Sequence, residues 1–313
     1  MKADVNLTDG SPGDSGAVQP TRARLVRISG LLDEFFVEAT AAHEACATGA
    51  ARGPKISFST RLSRELGGHL SVGLHAIHAA PGAGKTALAN QIAAEAGCPA
   101  LVLSCEMGPL ELLRRHIARE TNTYLGKLRT GQFPPSESLT LARRTAAAMP
   151  KLAIADATRG PLSPIELSEF ARATRGSDDH LLIVVDSLHA WVRSVFPDAT
   201  EYDQLGLGIN VLQQLAATEK CAILVVCERN RVGMGDDGLH STKGTAGLEY
   251  ACESVWALGR KKDAVVDADG KMSVDLTLAK NRNGAPGVTI PLEFAGGFMK
   301  FTDPSEQRKL RPA

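Results

Sequence analysis

Aromatic side chains are scarce here: Phe, Trp and Tyr make up 4% of the chain, too few for a broad surface on which bases could stack. Net charge is missing too, since Lys plus Arg and Asp plus Glu both number 35. Proteins that coat polynucleotides through bulk charge carry a basic excess, so any such contact must come from local loops. No apolar stretch approaches the roughly 18 to 20 residues that span a bilayer. The opening "MKADVNLTDGSPGDSG" lacks the apolar core of a signal peptide, and the expectation is a cytoplasmic chain with no membrane contact. Six cysteines, at 46, 98, 105, 221, 227 and 252, form no C-x-x-C pair. Cys221 and Cys227 flank an apolar run, where buried thiols are ordinary.

What is present is apolar material in orderly alternation. With 313 residues, 43% of them hydrophobic, the chain can hold one large α/β domain with appendages. Residues 1–20 are rich in Gly, Ser, Asp and Pro and read as a disordered tail. Helical spacing then places Leu25, Ile28, Leu31, Leu32, Phe35 and Phe36 on one face, predicting a helix over 22–47 within a segment 21–55, interrupted at Gly30. That face must be buried in the intrachain core or against a neighbouring subunit. From about residue 56 the runs "GLHAIHAA", "ALVLSCE", "KLAIADA", "LLIVVDS" and "CAILVVCE" alternate with helical stretches at 86–96, 109–120, 137–148, 164–175 and 204–218. Such alternation predicts a parallel sheet covered on both faces. The end, "VDLTLAKNRNGAPGVTIPLEFAGGFMKFTD", alternates at period two and predicts antiparallel strands at the sheet's edge. Residues 305–313 read as a flexible tail.

The stretch "HAAPGAGKTALANQIA", residues 78–93, is close to the phosphate-binding loop G-x-x-x-x-G-K-[ST], with Ala79 where the pattern has its first glycine. A strand, a glycine loop and a helix in this order aim backbone N–H groups at one point, at the positive end of a helix dipole. The loop runs through Ala79, Ala80, Pro81, Gly82, Ala83, Gly84, Lys85 and Thr86. Lys85 supplies charge for the β- and γ-phosphates of ATP, and Thr86 a hydroxyl for Mg²⁺. Gly82 and Gly84 let the backbone approach, and a small Ala79 serves if its φ stays negative. Asp186 ends the apolar run "LLIVVDS" and is expected to hold Mg²⁺ through water. Glu106, after "ALVLSC", would deliver a carboxylate to the same edge of the sheet, where it can polarise an attacking water. Taken alone, a strand-ending Asp is often only a turn residue, and Glu106 a surface residue before the next helix.

The order of these motifs resembles the RecA-fold motor domain of the DnaB-type replicative helicases, from about Ile56 to Asp303. "LVLSCEMGPLELLRRHIARETN" is similar to the family's strand, catalytic Glu-Met and helix, and "LGKLRTGQF" to its Leu-Arg-Thr-Gly segment. "LLIVVDSLHAW" resembles its Walker B strand, "ILVVCERNR" its sensor strand, and "AKNRNGAPGVTIPLEF" its Lys-x-Arg-x-Gly element and terminal hairpin. Family loops often carry Ala at the Ala79 position. The resemblance implies a RecA-like P-loop ATPase over 56–304, an α/β fold with a mostly parallel sheet flanked by helices and a C-terminal antiparallel hairpin. It implies that the preceding linker helix docks on a neighbour in a ring, hexameric in the family. Lys280 and Arg282 would then reach the next subunit's nucleotide as catalytic cations. The loops around 194–203 and 232–247 would face single-stranded DNA, with Arg231, Lys243 and Gly244 as contacts. A replication initiator or loader is an implied partner.

Three departures accompany the resemblance. Glu228 stands beside the nucleotide where the family carries Gln, and a carboxylate near phosphate is repelled unless protonated or bridged by Mg²⁺. Ala80 replaces a usual Arg. About 55 residues precede the motor domain, so the family's N-terminal helical domain, and primase recruitment through it, are not expected. In extent the chain is similar to short RepA-type plasmid helicases. The reading is an ATP-driven ring helicase or translocase. The alternatives are an ATP-binding assembly switch or DNA-binding regulator with weak hydrolysis, and a RecA-like recombination mediator.

Overall fold

The structure, a computed structural model, describes residues 25–228, 246–260, 266 and 270–309. Two compact units, Met1–Ala50 and Ala51–Ala313, partition the chain. In the first, a 3₁₀ turn at Ile28–Leu31 leads into helix α1 (Leu32–Thr48), which Gly49 ends at φ 70° in the left-handed region. The α-helix thus begins after Gly30 rather than at residue 22, as expected where glycine weakens a helix start. None of its residues is buried, and Leu32, Phe35, Phe36 and Val37 are exposed.

The second unit is layered. Its elements in chain order are α2 (Thr60–Glu65), β1 (Gly73–Ala79), α3 (Lys85–Glu95), β2 (Ala100–Ser104), α4 (Pro109–Glu120), α5 (Leu125–Arg129), α6 (Pro135–Ala148) and β3 (Leu152–Asp156). There follow α7 (Pro164–Arg175), β4 (Leu182–Asp186), α8 (Leu188–Val195), α9 (Glu201–Glu219), β5 (Ala222–Glu228), α10 (Ala246–Ala251) and β6 (Cys252–Arg260). The unit closes with β7 (Lys271–Asn281), β8 (Thr289–Ala295), β9 (Lys300–Thr302) and α11 (Pro304–Lys309). One sheet runs in the order β3-β2-β4-β5-β1-β6-β7-β8-β9. The first six strands are parallel and the last three antiparallel. The five parallel strands and the terminal meander read from the sequence are present. β6 adds a sixth parallel strand that the sequence reading does not contain, and α11 occupies part of the expected flexible tail. Residues 194–203, expected as one loop, are the end of α8, a short connection and the start of α9.

Both faces of the parallel strands are buried, which explains their continuous apolar runs. Val102, Val184 and Leu224 pack with Leu88 and Ile92 of α3 on one side. Leu101, Ile183 and Ile223 pack with Trp191 of α8 and Leu212 of α9 on the other. Each such side chain contributes roughly 1.5–3 kcal/mol when fully buried. Helix starts are specified locally: Ser163 and Glu166 form a capping box at α7, and Ser59, Ser187 and Thr200 cap α2, α8 and α9. Among the described residues no helix is long and apolar enough to cross a membrane.

Two glycines of α9 separate packing from propensity. A Cβ on buried Gly208 would lie 2.2 Å from Val192 Cγ1, whereas one on exposed Gly206 meets nothing within 4 Å. Gly208→Ala is expected to lower unfolding free energy by about 1–3 kcal/mol. Gly206→Ala should raise it by about 0.5–1 kcal/mol through helix propensity. Urea denaturation of both variants checks the pair.

Candidate nucleotide-binding site

Parallel register brings the carboxyl ends of four strands to one edge. Ala79 of β1 lies opposite Glu228 of β5, and Ser104 of β2 opposite Asp186 of β4. Ala79 is 1% exposed, its methyl packed in the core. Positive φ among described non-glycine residues occurs only at Asn122, Lys220 and Met299, so an L-residue at 79 is unstrained. The glycines that the loop does need are Gly82 (φ 75°) and Gly84 (φ 93°).

α3 begins at Lys85, and its first turn leaves N–H groups without intrahelical acceptors. Lys85 Nζ donates to the carbonyls of Ala79 at 2.8 Å and Ala80 at 3.4 Å, which folds the ammonium back over the loop. The loop rests on an aromatic floor. Phe294 and Phe301 stack with centroids 4.4 Å apart, and a Cβ on Gly84 would lie 2.8 Å from Phe301 Cζ. Gln91, buried in α3, donates Nε2–H to the Phe301 carbonyl at 3.0 Å and accepts the Phe301 N–H at 2.7 Å. These paired bonds tie the loop's helix to β9.

A cavity of about 390 Å³ opens above the loop. Gly82, Gly84, Lys85 and Thr86 line one wall, and Glu106, Asp186, Ser187 and Glu228 another. Thr86 donates its hydroxyl to the Asp186 carboxylate. Burial raises the Asp186 carboxyl to about 6, against the lowering effect of that hydrogen bond. Burial also pushes the Cys105 thiol up to about 12, with Asp186 and Glu106 adding to it, so this cysteine is a neutral wall residue. His189 is held below its usual range by burial, opposed first by the charge of Glu228. Hydroxyl and carboxylate are hard oxygen donors. Among the described residues no group of three His, Cys, Asp or Glu gathers at one point. Mg²⁺ suits this set, because it takes one or two protein oxygens and completes its shell with phosphate and water.

Not every expected residue joins the cavity. Pro81 lines it, whereas Ala79 and Ala83 are buried in the core and Ala80 is exposed outside the cavity. Lys280 and Arg282 lie away from it: Lys280 pairs with Val255, level with Ala76 in the middle of β1, and Asn281 pairs with Ser254 near the start of β6. Lys280 donates to the carbonyls of Glu249 (2.6 Å) and Tyr250 (3.0 Å), and Arg282 pairs with Glu253 at 2.6 Å. Burial and the neighbouring Arg282 lower the Lys280 ammonium's affinity for its proton. Ala76 is three residue steps short of Ala79, about 10 Å along the strand at ~3.3 Å per residue, and the side-chain partners of Lys280 and Arg282 lie further towards the amino end of β6. Arg231, Lys243 and Gly244 fall outside the described residues.

Three contributors escaped sequence reading. Arg115 of α4 lines the cavity, paired with Glu111 at 3.3 Å and close enough to lower Asp186. Its signal is the i,i+4 spacing from Glu111, which does not say which way the helix faces. Arg260 donates to the Gly82 carbonyl at 2.7 Å from the end of β6. Ser187 donates to Glu106 Oε1 at 2.7 Å.

Comparison with known proteins places this geometry. The family model of the DnaB-like helicase C-terminal domain matches residues 57–303. The chain belongs to this family. A curated relative, the replicative DNA helicase DnaB of Treponema pallidum (strain Nichols), is 30% identical over 249 residues, 77% of this chain and 54% of that protein. The chain spans about half the length of the curated relatives it matches. A solved ATPase domain superposes with a TM-score of 0.72 at 20% identity, covering 87% of this chain and 98% of that one. A DnaB-like replicative helicase superposes at 0.67 and 18%, covering 88% and 71%. These two likenesses establish the RecA-like fold of the DnaB-like domain, with its mostly parallel sheet and C-terminal hairpin.

α4, whose Arg115 lines the cavity, also carries a pH-sensitive group. His116 of α4 is 5% exposed, and burial lowers its imidazole to about 4, with Arg119 adding to the effect. Its stabilising neutral form is complete above about pH 6.5, where the unfolded imidazole is also neutral. Below that, protons favour the unfolded chain until the folded imidazole titrates near 4. Between pH 7 and 4 the wild type should lose about 3 kcal/mol more stability than His116→Gln, measured by urea titrations across that range.

Proposed function

We propose that the chain is the motor domain of an ATP-driven DNA helicase or translocase, acting as a ring of identical copies, six by the family's habit, on single-stranded DNA. The observation that carries the reading is the convergence of Lys85, Thr86, Glu106, Asp186 and Glu228 on one cavity at the carboxyl edge of the sheet. The loop N–H groups and Lys85 bind the β- and γ-phosphates of ATP. Mg²⁺ held by Thr86 and, through water, by Asp186 supplies neutralisation of phosphate charge when bound. Glu106 orients a water whose oxygen bonds to the γ-phosphorus. The bond from that phosphorus to the β,γ-bridging oxygen breaks, ADP keeps the electron pair, and the water's proton passes to Glu106. Ala79 to Thr86 and Glu228 form the nucleotide-binding set, with Glu228 reporting on the γ-phosphate end.

Lys280 and Arg282 act on a neighbouring copy's nucleotide. Neither lines the cavity, and their side chains bond to Glu249, Tyr250 and Glu253 around the start of β6, which supports action between copies rather than within one. The exposed apolar residues of α1 suit docking on a neighbour, and Arg231, Lys243 and Gly244 contact the DNA backbone. The solved DnaB-like replicative helicase was described with primase; for this chain a loader or initiator is the expected partner, in the cytoplasm.

ATP turnover of the full chain, with and without single-stranded DNA, tests the reading. DNA should stimulate turnover, and Glu106→Gln should lower kcat by about 10²–10⁴-fold. Arg282→Ala should lower it by about 10³-fold or more in the manner of an arginine finger. Turnover indifferent to DNA and to both substitutions would overturn the motor in favour of a nucleotide-gated assembly switch.

A further inference from the structure

Glu106 lies two residues past the end of β2, in a turn, and its side chain is exposed. A free glutamate there would spread over many rotamers, and fixing it costs side-chain entropy. The local backbone is already fixed: the Cys105 N–H donates to the Asp186 carbonyl at 2.8 Å, and Ser104 Oγ donates to the Met107 carbonyl at 2.7 Å. What remains to be fixed in Glu106 is the carboxylate, and among the described residues the Ser187 side chain hydrogen-bonds to it. Ser187, 4% exposed, donates Oγ–H to Glu106 Oε1 at 2.7 Å and accepts the Ala190 N–H at 3.4 Å as the N-cap of α8.

We propose that Ser187 is a positioning residue, its hydroxyl fixing the Glu106 carboxylate in the orientation that polarises the attacking water. The inference rests on the reading of Glu106 as that carboxylate. A hydroxyl has one proton to donate and two acceptor sites, so Ser187 serves the helix with an acceptor and Glu106 with its proton. The bond to an ionised acceptor is of the stronger, charge-assisted kind. Ser187 follows Asp186 directly, so the residue that aims the water-polarising group is anchored to the strand end that carries the metal-binding carboxylate. No hydrogen bond among the described residues engages Oε2 of Glu106.

The bland role, a helix cap, predicts a loss of stability and nothing else. The two are separated by ATP turnover of the full chain with single-stranded DNA, alongside nucleotide affinity and thermal melting. Ser187→Ala should lower kcat by about 10- to 100-fold while KM stays within about threefold, because the lost hydrogen bond acts on the transition state. Ser187→Thr keeps cap and proton and should restore kcat to within about threefold. Ser187→Gly serves if the alanine variant does not fold, since glycine is tolerated as a cap better than alanine yet cannot donate. In the double variant with Glu106→Gln, turnover should be no slower than with Glu106→Gln alone, as for groups that act as a unit. A Ser187→Gly enzyme with wild-type kcat, where Glu106→Gln is slow, would overturn the positioning role and leave Glu106 in place. So would multiplicative losses in the double variant. Glu106→Gln turning over at the wild-type rate would instead overturn the reading of Glu106, and the proposal with it.

Discussion

Parallel register sets Ser104 opposite Asp186 and Ala79 opposite Glu228, and the chemistry of the cavity depends on that alignment. Side chains on a strand alternate between faces, so a slip of one residue between β2 and β4 would exchange every core residue for its neighbour. Apolar burial on both faces penalises such a slip through Val102, Val184 and Leu101, Ile183 alike. The same packing that stabilises the sheet therefore holds level the strand ends from which the site's carboxylates project.

A second constraint holds the phosphate loop from below. Gly84 leaves the helix start open to a close approach, and Phe294 and Phe301 fill the space a side chain would take. Gln91 closes the joint with two backbone bonds to Phe301, both buried and thus costly to leave unmade. The antiparallel meander is in this way part of the nucleotide site's foundation. Changes of position in α3 reach β9 through an unyielding contact.

The parallel core was legible in the sequence because strands buried on both faces must be continuous apolar runs of near-minimal length. β6 was not. "CESVWALGR" interrupts its apolar residues with Glu253 and Ser254, and it follows α10 with no intervening turn. The loop from Ala79 to Thr86 could be read locally, since its signal is a short run of residue types whose backbone freedom is itself the function. Arg115, Ser187 and Arg260 could not, for their partners lie on other elements and only the tertiary arrangement aims them. Lys280 and Arg282 took their expected role from resemblance alone, and their intrachain partners, the carbonyls of Glu249 and Tyr250 and the Glu253 carboxylate, are what a single copy presents.

The separation of Lys280 and Arg282 from the phosphate loop has an arithmetic consequence. The P-loop follows the carboxyl end of β1, while the Lys280 and Arg282 side chains are bonded to Glu249, Tyr250 and Glu253 around the amino end of β6, so the two do not meet in this chain. On the proposed assignment each copy carries halves of two different sites. One copy then completes none, two complete one, and an open row completes one fewer than its members, while a closed ring completes as many as it has copies. Closure itself adds a working site.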